Sequence, residues 1–151
     1  MAGTPPAEDT SARFLIKGQY IKDLSFENPH APQSLVSDGE KPMIDVSVTL
    51  SNRRLADDHY ELTLHLGARA RILDRILFLM ELAYCAIVQV VNIPEDKIDP
   101  ILLVDCAFVL FPFARRVVAD VTRDGGFPPL MLEPIDFQAL YLQNRQDPKK
   151  K

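Results

Sequence analysis

Three stretches in the first half of the chain have the residue pattern of β-strands. Residues 43–51 place Ile, Val, Val and Leu at every second position, with Asp, Ser, Thr and Ser between them. Residues 59–66 alternate in the same way, and residues 13–26 are rich in β-branched and aromatic side chains. A period of two is typical of a strand with one buried face, and the short spacers favour an antiparallel meander.

Residues 76–91 form a fourth predicted strand, which is apolar on both sides. Its even-numbered positions are Ile, Phe, Met, Leu, Tyr, Ala, Val and Val, and most odd-numbered positions are apolar as well. Because neighbouring side chains of a strand point to opposite faces, both faces are expected to be covered for much of its length. Charged and polar residues interrupt residues 72–93, which favours a buried strand over a membrane span.

The last third of the chain has the pattern of helices. Asp99 followed by Pro100 is typical of an N-cap and a first helical turn, and a broad apolar face follows. Pro112 is predicted to break or kink this helix, and the glycines at 125–126 to end it. Asp136 is predicted to cap a final helix. The pattern therefore predicts an α+β fold, a four-stranded antiparallel sheet followed by two helices packed on one face.

The predicted fold leaves apolar surface uncovered. Two helices cover one face of a four-stranded sheet, whereas the fourth strand has apolar side chains on both faces. Exposed apolar surface costs about 25 cal/mol per Å², and patches above a few hundred Å² usually mark interaction sites. We therefore expect self-assembly, a groove for an apolar partner, or both.

Length, composition and charge fit one folded domain. A chain of 151 residues with 47% hydrophobic and 25% charged residues has the balance of a globular domain, which excludes wholesale disorder. Residues 1–11 lack the basic and apolar blocks of a signal peptide and are predicted to be a disordered arm. The domain is expected at 12–144 and a flexible tail at 145–151. A net charge of −4 argues against nucleic-acid binding.

The chain has no clear catalytic or metal-binding motif. The glycines at 125–126 lack the lysine of a phosphate-binding loop. His59 and His65 would lie about 20 Å apart along one strand, too far to share a metal ion. Cys85 and Cys106 lack zinc-site spacing and are expected to be buried thiols in a reducing compartment. We expect no cofactor and no metal ion. The absence of these motifs makes an enzymatic function less favoured but does not exclude it.

Eight blocks of residues occur in order along the chain: QYIKDLSFENP at 19–29, LADD at 55–58, YEL at 60–62, FLMEL at 78–82, LFPFAR at 110–115, DGGFPPL at 124–130, PIDF at 134–137 and ALY at 139–141. Together these blocks resemble the SecB family of bacterial protein-export chaperones. The resemblance covers about residues 13–142, and agreement of this many ordered blocks by chance is implausible. The form DGGFPP resembles the alphaproteobacterial branch of the family.

The resemblance implies an ATP-independent holdase of the cytoplasm, built as a homotetramer that is a dimer of dimers. This assembly agrees with the surplus apolar surface. Such a chaperone binds unfolded precursor proteins and delivers them to the SecA motor of the translocon. In the family, an acidic surface on the outer side of the sheet docks SecA. The matching positions here are Asp23, Glu27, Leu79 and Glu81.

The resemblance also implies long apolar grooves for precursors between helix, crossover loop and sheet. Strand parity places the groove positions of the fourth strand opposite Leu79 and Glu81, so one strand is expected to present a client face and a motor face. Whether its groove positions contact clients or close the tetramer stays open. Three strand positions match the groove and three helix positions are expected to line it: Phe78, Met80, Leu82, Phe108, Leu110 and Phe113.

Two departures from the family pattern affect the expected fold. Cys85 and Ala86 stand where the family often has two glycines, which argues against a bulge there. Ala107 stands where the family usually has proline, which favours an earlier start of the long helix.

Two other functions remain as alternatives. One is a SecB-like chaperone that serves a toxin–antitoxin pair, and the other is a small oligomeric enzyme with an apolar groove. The retained carboxylates of Asp23, Glu27 and Glu81 favour export.

Overall fold

The computed structural model describes residues 3–36 and 39–146. Four antiparallel strands form one sheet in the order β1-β4-β3-β2. This confirms the predicted four-stranded antiparallel sheet. The strands are β1 Arg13–Glu27, β2 Met43–Ala56, β3 His59–Ile72 and β4 Arg75–Val91.

The order of the strands differs from a simple meander. β2, β3 and β4 follow one another as hairpins, whereas β1 pairs with β4 at the opposite edge from β2. The connection at 28–42 is too long for a tight hairpin and includes a 3-10 turn, Gln33–Leu35. The predicted meander is therefore right for three strands and wrong for β1.

The helical part begins earlier than predicted. α1 covers Glu95–Pro100, a π-helical stretch covers Ile101–Cys106, and α2 covers Ala107–Asp124 without interruption. The predicted N-cap at Asp99 is wrong, because extended Pro94 precedes the first turn and the acidic residues of that turn favour its N-terminus. The start ahead of Ala107 agrees with the absence of proline there.

The predicted helix ends are mostly confirmed. α2 continues through Pro112 and stops at Gly125, whose N–H donates to the carbonyl of Val121 at 2.9 Å. Pro112 therefore does not break the helix. α3 covers Phe137–Gln146, and the N–H of Ala139 donates to Asp136 Oδ1 at 3.0 Å, which confirms the cap.

One hydrophobic core lies between the sheet and the helices. α2 and the π-helical stretch pack on the even-numbered side of β3 and β4, because those positions are apolar and α2 has an apolar stripe. The opposite side of the sheet is the outer face. Fully buried side chains of the core include Leu62, Leu64, Leu66, Met80, Val88, Leu102, Leu110 and Val118.

The predicted arm and tail stay predictions. Residues 3–11 contain no helix or strand and are exposed. Residues 1–2 and 147–151 lie outside the described residues, whereas 145–146 belong to α3.

Candidate functional site

The outer face brings together the four positions predicted to dock SecA. Glu27 pairs with Leu79 across β1 and β4, while Glu81 and Asp23 follow on the same face in adjacent register positions. The three carboxylates are exposed and Leu79 is half-buried. Cross-strand and diagonal neighbours lie about 5–8 Å apart, so these side chains form one continuous surface, which we call the docking row.

A polar cavity of about 430 Å³ adjoins the docking row. Asp23 and Glu81 contribute to its lining, together with side chains from β2 and β3. The further charged residues that line the cavity are Lys22, Arg53 and Glu61. Sequence reasoning missed Arg53 and Glu61 because they belong to β2 and β3, which are distant in sequence from Asp23. It missed Lys22 because its partner Glu61 lies on β3.

Glu61 is a buried carboxylate at the floor of this cavity. It is 5% exposed and accepts hydrogen bonds from Tyr20 Oη, from Lys22 Nζ at 2.9 Å and from Arg53 Nε at 3.0 Å. The Tyr20 hydroxyl and then the Lys22 ammonium lower the pKa of Glu61 to about 2. Burial and then the bond to Glu61 raise the pKa of Tyr20 to about 12. Glu61 thus stays ionised, and it joins β1, β2 and β3.

Gly67 leaves room for the carboxylate of Glu81. A β-carbon at this position of β3 would lie 2.5 Å from Ser47 Oγ and 3.3 Å from Glu81 Oε2. Because glycine has no such atom, Glu81 lies across the neighbouring strand at close range. The position of this docking-row carboxylate therefore depends on a residue that the sequence alone did not identify.

The six predicted groove positions do not lie together on an open surface. Phe108 is 71% exposed and Phe113 49% exposed, both on α2. The other four belong to the core of the protomer, because α2 and the following segment cover the three on β4, and Leu110 lies on the side of α2 that faces the sheet. These four buried positions are Phe78, Met80, Leu82 and Leu110.

Phe78 shows how the predicted groove positions on β4 are covered by other parts of the protomer. Its ring centroid lies 5.6 Å from that of Phe26 and 5.0 Å from that of Phe127. This aromatic cluster attaches the beginning of the crossover segment, residues 127–136, to the sheet. A client cannot reach Phe78 in this arrangement, and its role in client binding stays a prediction.

The crossover segment is held against α2 by three hydrogen bonds, the first of which joins the N–H of Phe127 to the carbonyl of Thr122 at 3.1 Å. Arg115 Nε donates to the carbonyl of Leu132 at 2.7 Å, and the N–H of Leu130 donates to Thr122 Oγ1 at 2.9 Å. Thr122 is fully buried. These bonds satisfy backbone groups of a segment that has no strand or helix of its own.

Two open apolar cavities flank this segment. The helix cavity, of about 550 Å³, lies between Phe14 of β1, the α2 side chain of Phe108 and the start of α3. The β2 cavity, of about 430 Å³, lies between β2 and residues 130–135. Ile44 and Val46 line the β2 cavity and are 40% and 46% exposed, although their alternation predicted a buried face.

The described residues offer no metal centre and no activated thiol. No three His, Cys, Asp or Glu side chains in 3–36 and 39–146 are arranged to hold a metal ion. Burial and then the Asp105 charge raise the pKa of Cys106 to about 12. Burial also raises the pKa of Cys85. A thiol is a nucleophile only as thiolate, so neither cysteine is activated.

Among the helices of the described chain, none has both the length and the apolar character needed to cross a lipid bilayer.

Comparison with known proteins identifies the relatives of this chain. The family model described as "Preprotein translocase subunit SecB" matches residues 7–148. A protein-export protein SecB of Parvibaculum lavamentivorans is 51% identical over 128 residues, which cover 85% of this chain and 76% of the relative. One of Bradyrhizobium diazoefficiens is 42% identical over 144 residues, which cover 95% and 89%.

A solved structure shares the fold. It is the Mycobacterium tuberculosis SecB-like chaperone Rv1957 in complex with a ChAD peptide from the antitoxin HigA1. The TM-score is 0.67 at 17% identity, covering 82% of this chain and 91% of the other. At this identity the likeness concerns the fold alone.

Proposed function

Because the chain belongs to the SecB family, we propose that it is an ATP-independent holdase that keeps unfolded precursor proteins competent for export and delivers them to SecA in the cytoplasm. Members of this family are chaperones and not enzymes, so the alternative of a small enzyme is excluded. The binding of clients is then a matter of burying apolar surface rather than of covalent chemistry.

The observation that carries this proposal is the exposed apolar surface beside the crossover segment. The β2 cavity and the helix cavity are lined mainly by aliphatic and aromatic side chains. Full burial of a Val, Leu, Ile or Phe side chain contributes about 1.5–3 kcal/mol. An unfolded chain that fills several such cavities gains affinity from many modest contacts, which suits a partner without fixed sequence.

We propose that a second set of exposed apolar side chains is covered by other copies of this chain, in a dimer of dimers. Strand β1 is an edge strand, and edge strands and apolar patches are usually covered. The exposed side chains concerned lie on β1 and α2: Leu15, Ile21, Leu24 and Phe113.

The docking row is the proposed contact with SecA. Its carboxylates are exposed on the outer face, away from both apolar cavities, so docking does not require the client to leave first. The same carboxylates favour export over service to a toxin–antitoxin pair.

The test combines aggregation suppression with SecA capture. The wild type is expected to suppress aggregation of an unfolded precursor without nucleotide, and to be retained by immobilised SecA. Glu81→Lys reverses a charge of the docking row and should lower SecA retention at least about tenfold while aggregation suppression is kept. Glu95→Lys, at an exposed carboxylate of α1, is the matched control and should bind SecA normally.

A wild-type protein that does not suppress aggregation would exclude the holdase. If immobilised SecA does not retain the wild type, or retains the wild type and Glu81→Lys equally, the docking row is excluded as the contact with SecA.

A further inference from the structure

Arg69 is an exposed cation on the outer face, directly beside the docking row. In the register of the sheet it lies opposite Leu79, a member of the row, and Glu27 is the partner of Leu79 on the other side. Neighbouring strands are about 4.8 Å apart, so the backbone positions of Arg69 and Glu27 are about 10 Å apart. A positive group therefore adjoins a row whose charged members are all carboxylates.

The carboxylate that faces Arg69 across the strands is engaged elsewhere. Asp45 of β2 is the cross-strand partner of Arg69, but its Oδ2 lies 3.6 Å from Nε of Arg71. Arg71 has a second contact, from its Nη2 to Sδ of Met43 at 3.1 Å. Among the residues that the structure describes, Arg69 makes no ion pair and no side-chain hydrogen bond. Its guanidinium group is therefore available to a partner.

An unpaired arginine at this place restricts the kind of surface that can dock. Like charges brought together across an interface cost free energy, whereas complementary charges orient the two proteins and speed their association. A wholly basic surface would be attracted by Glu27 and Glu81 but repelled by Arg69. A surface with an acidic group about 10 Å from the basic group that meets Glu27 is complementary to the whole outer face.

We propose that Arg69 binds a carboxylate of the protein that docks on the row, and thereby fixes the orientation in which that protein docks. This inference rests on the proposed contact with SecA. It adds the chemistry of the matching surface, which has basic groups over the carboxylates of the row and an acidic group over Arg69. A guanidinium group suits this role because it presents paired N–H donors to a carboxylate in a fixed geometry.

The test compares charge variants of the full chain for binding to immobilised SecA at low salt. Arg69→Glu should weaken binding at least about tenfold, because it places two carboxylates against each other. Arg69→Gln should weaken it about threefold, and Arg69→Lys should keep most of the affinity. Lys97→Glu, at an exposed position of α1, changes the net charge as much as Arg69→Glu and should bind like the wild type.

Asp45→Asn tests the opposite direction. It removes the carboxylate nearest to Arg69 along the sheet, so a carboxylate of the partner meets less competition and binding should tighten about twofold. If SecA were attracted only by the overall acidity of the chain, the same substitution would weaken binding. The sign of the change therefore separates the two explanations.

Aggregation suppression and thermal unfolding serve as controls for all variants. Both are expected to stay at the wild-type level, because Arg69 does not line either apolar cavity. If Arg69→Glu lowers stability through repulsion from Asp45, Arg69→Gln tests the contact without adding a like charge.

Unchanged or tighter binding of Arg69→Glu, with Glu81→Lys still impaired, would overturn this inference and leave the docking row intact. Equal weakening by Arg69→Glu and Lys97→Glu would also overturn it, as a general charge effect. Failure of the wild type to bind SecA would overturn the docking row and this inference together.

Discussion

At the scale of single residues, the cluster around Glu61 couples strand pairing to pH. Its carboxylate has an ordinary pKa of 4.5, and the folded protein lowers that pKa to about 2. The folded state therefore binds this proton less readily than the unfolded state does. The stability that the ion contributes is complete above pH 4.5 and is lost as the pH falls towards about 2.

Glu61→Gln should lower the free energy of unfolding by about 2 kcal/mol at pH 7, because charged hydrogen bonds to a buried group are lost. The difference from wild type should shrink as the pH falls from 4.5 towards about 2. Urea denaturation at pH 7 and pH 3 measures both values. Glu95→Gln, at an exposed side chain, is the control and should change stability little at either pH. A Glu61 difference that stays constant with pH would contradict the linkage.

The alternating pattern of residues 59–66 predicts that Glu61 lies on the polar side of its strand, but it does not predict the partners of the Glu61 carboxylate. Its partners Tyr20 and Lys22 belong to β1 and Arg53 to β2. Which strands are neighbours, and in which register, depends on pairing across the sheet, and a residue pattern of period two does not carry that information. The burial of this carboxylate and its hydrogen-bond partners can therefore be identified only once the strand order is known.

At the scale of elements, the crossover segment depends on α2 for its position. Leu130 and Leu132 each make one hydrogen bond to a side chain of that helix, Thr122 and Arg115 respectively. Thr122 Oγ1 also donates to a carbonyl of its own helix, so one hydroxyl serves two elements. Residues 130–135 of the segment form one side of the β2 cavity, so the position of the segment affects the shape of that cavity.

Thr122→Val keeps the shape of the side chain and removes the acceptor. The N–H of Leu130 then loses its partner, and we expect a loss of about 1.5 kcal/mol in the free energy of unfolding. Amide exchange at Leu130 should accelerate at the same time. Thr49→Val, at an exposed position of β2, is the matched control and is expected to have little effect. Unchanged exchange at Leu130 would show that the hydrogen bond does not hold the segment.

Helix boundaries show where local signals compete. Asp99 and Pro100 form a good start signal, yet α1 already begins at Glu95. Pro94 offers a similar signal, because its extended backbone precedes two acidic residues in the first turn. The pattern predicted the end of the helical part better, since Gly125 and the Asp136 cap act through local geometry alone.

At the scale of the whole molecule, the balance of exposed and buried apolar residues decides assembly. α2 carries Leu110 at 0% exposure and Phe108 at 71% within two residues. The first stabilises the protomer, whereas the second contributes to surface that a partner can cover. The sequence predicted exposed apolar surface but placed it on the outer side of β4, where Leu77, Ala83 and Cys85 are buried. The exposed apolar side chains lie instead on β1, β2 and α2, because their placement depends on strand order and on which side of α2 faces the sheet.

Phe108→Asp should leave the fold of the protomer intact and reduce assembly or client holding. Leu110→Ala should instead lower the free energy of unfolding by about 2–5 kcal/mol, since it opens a cavity in the core. Native mass spectrometry, denaturation and aggregation suppression separate the two effects. A folded Phe108→Asp protein with unchanged mass and unchanged suppression would remove this residue from both roles.

The alternating sides of β4 have a consequence for how such a sequence can change over generations. Odd-numbered positions such as Glu81 face outwards and even-numbered positions such as Met80 face the core, so the two sets can diverge independently under point substitution. Insertion of a single amino acid into the strand would exchange the two sets beyond that point. Lineages are therefore expected to keep the length of this strand fixed and to vary its exposed outward positions, such as Glu81, more than its core positions.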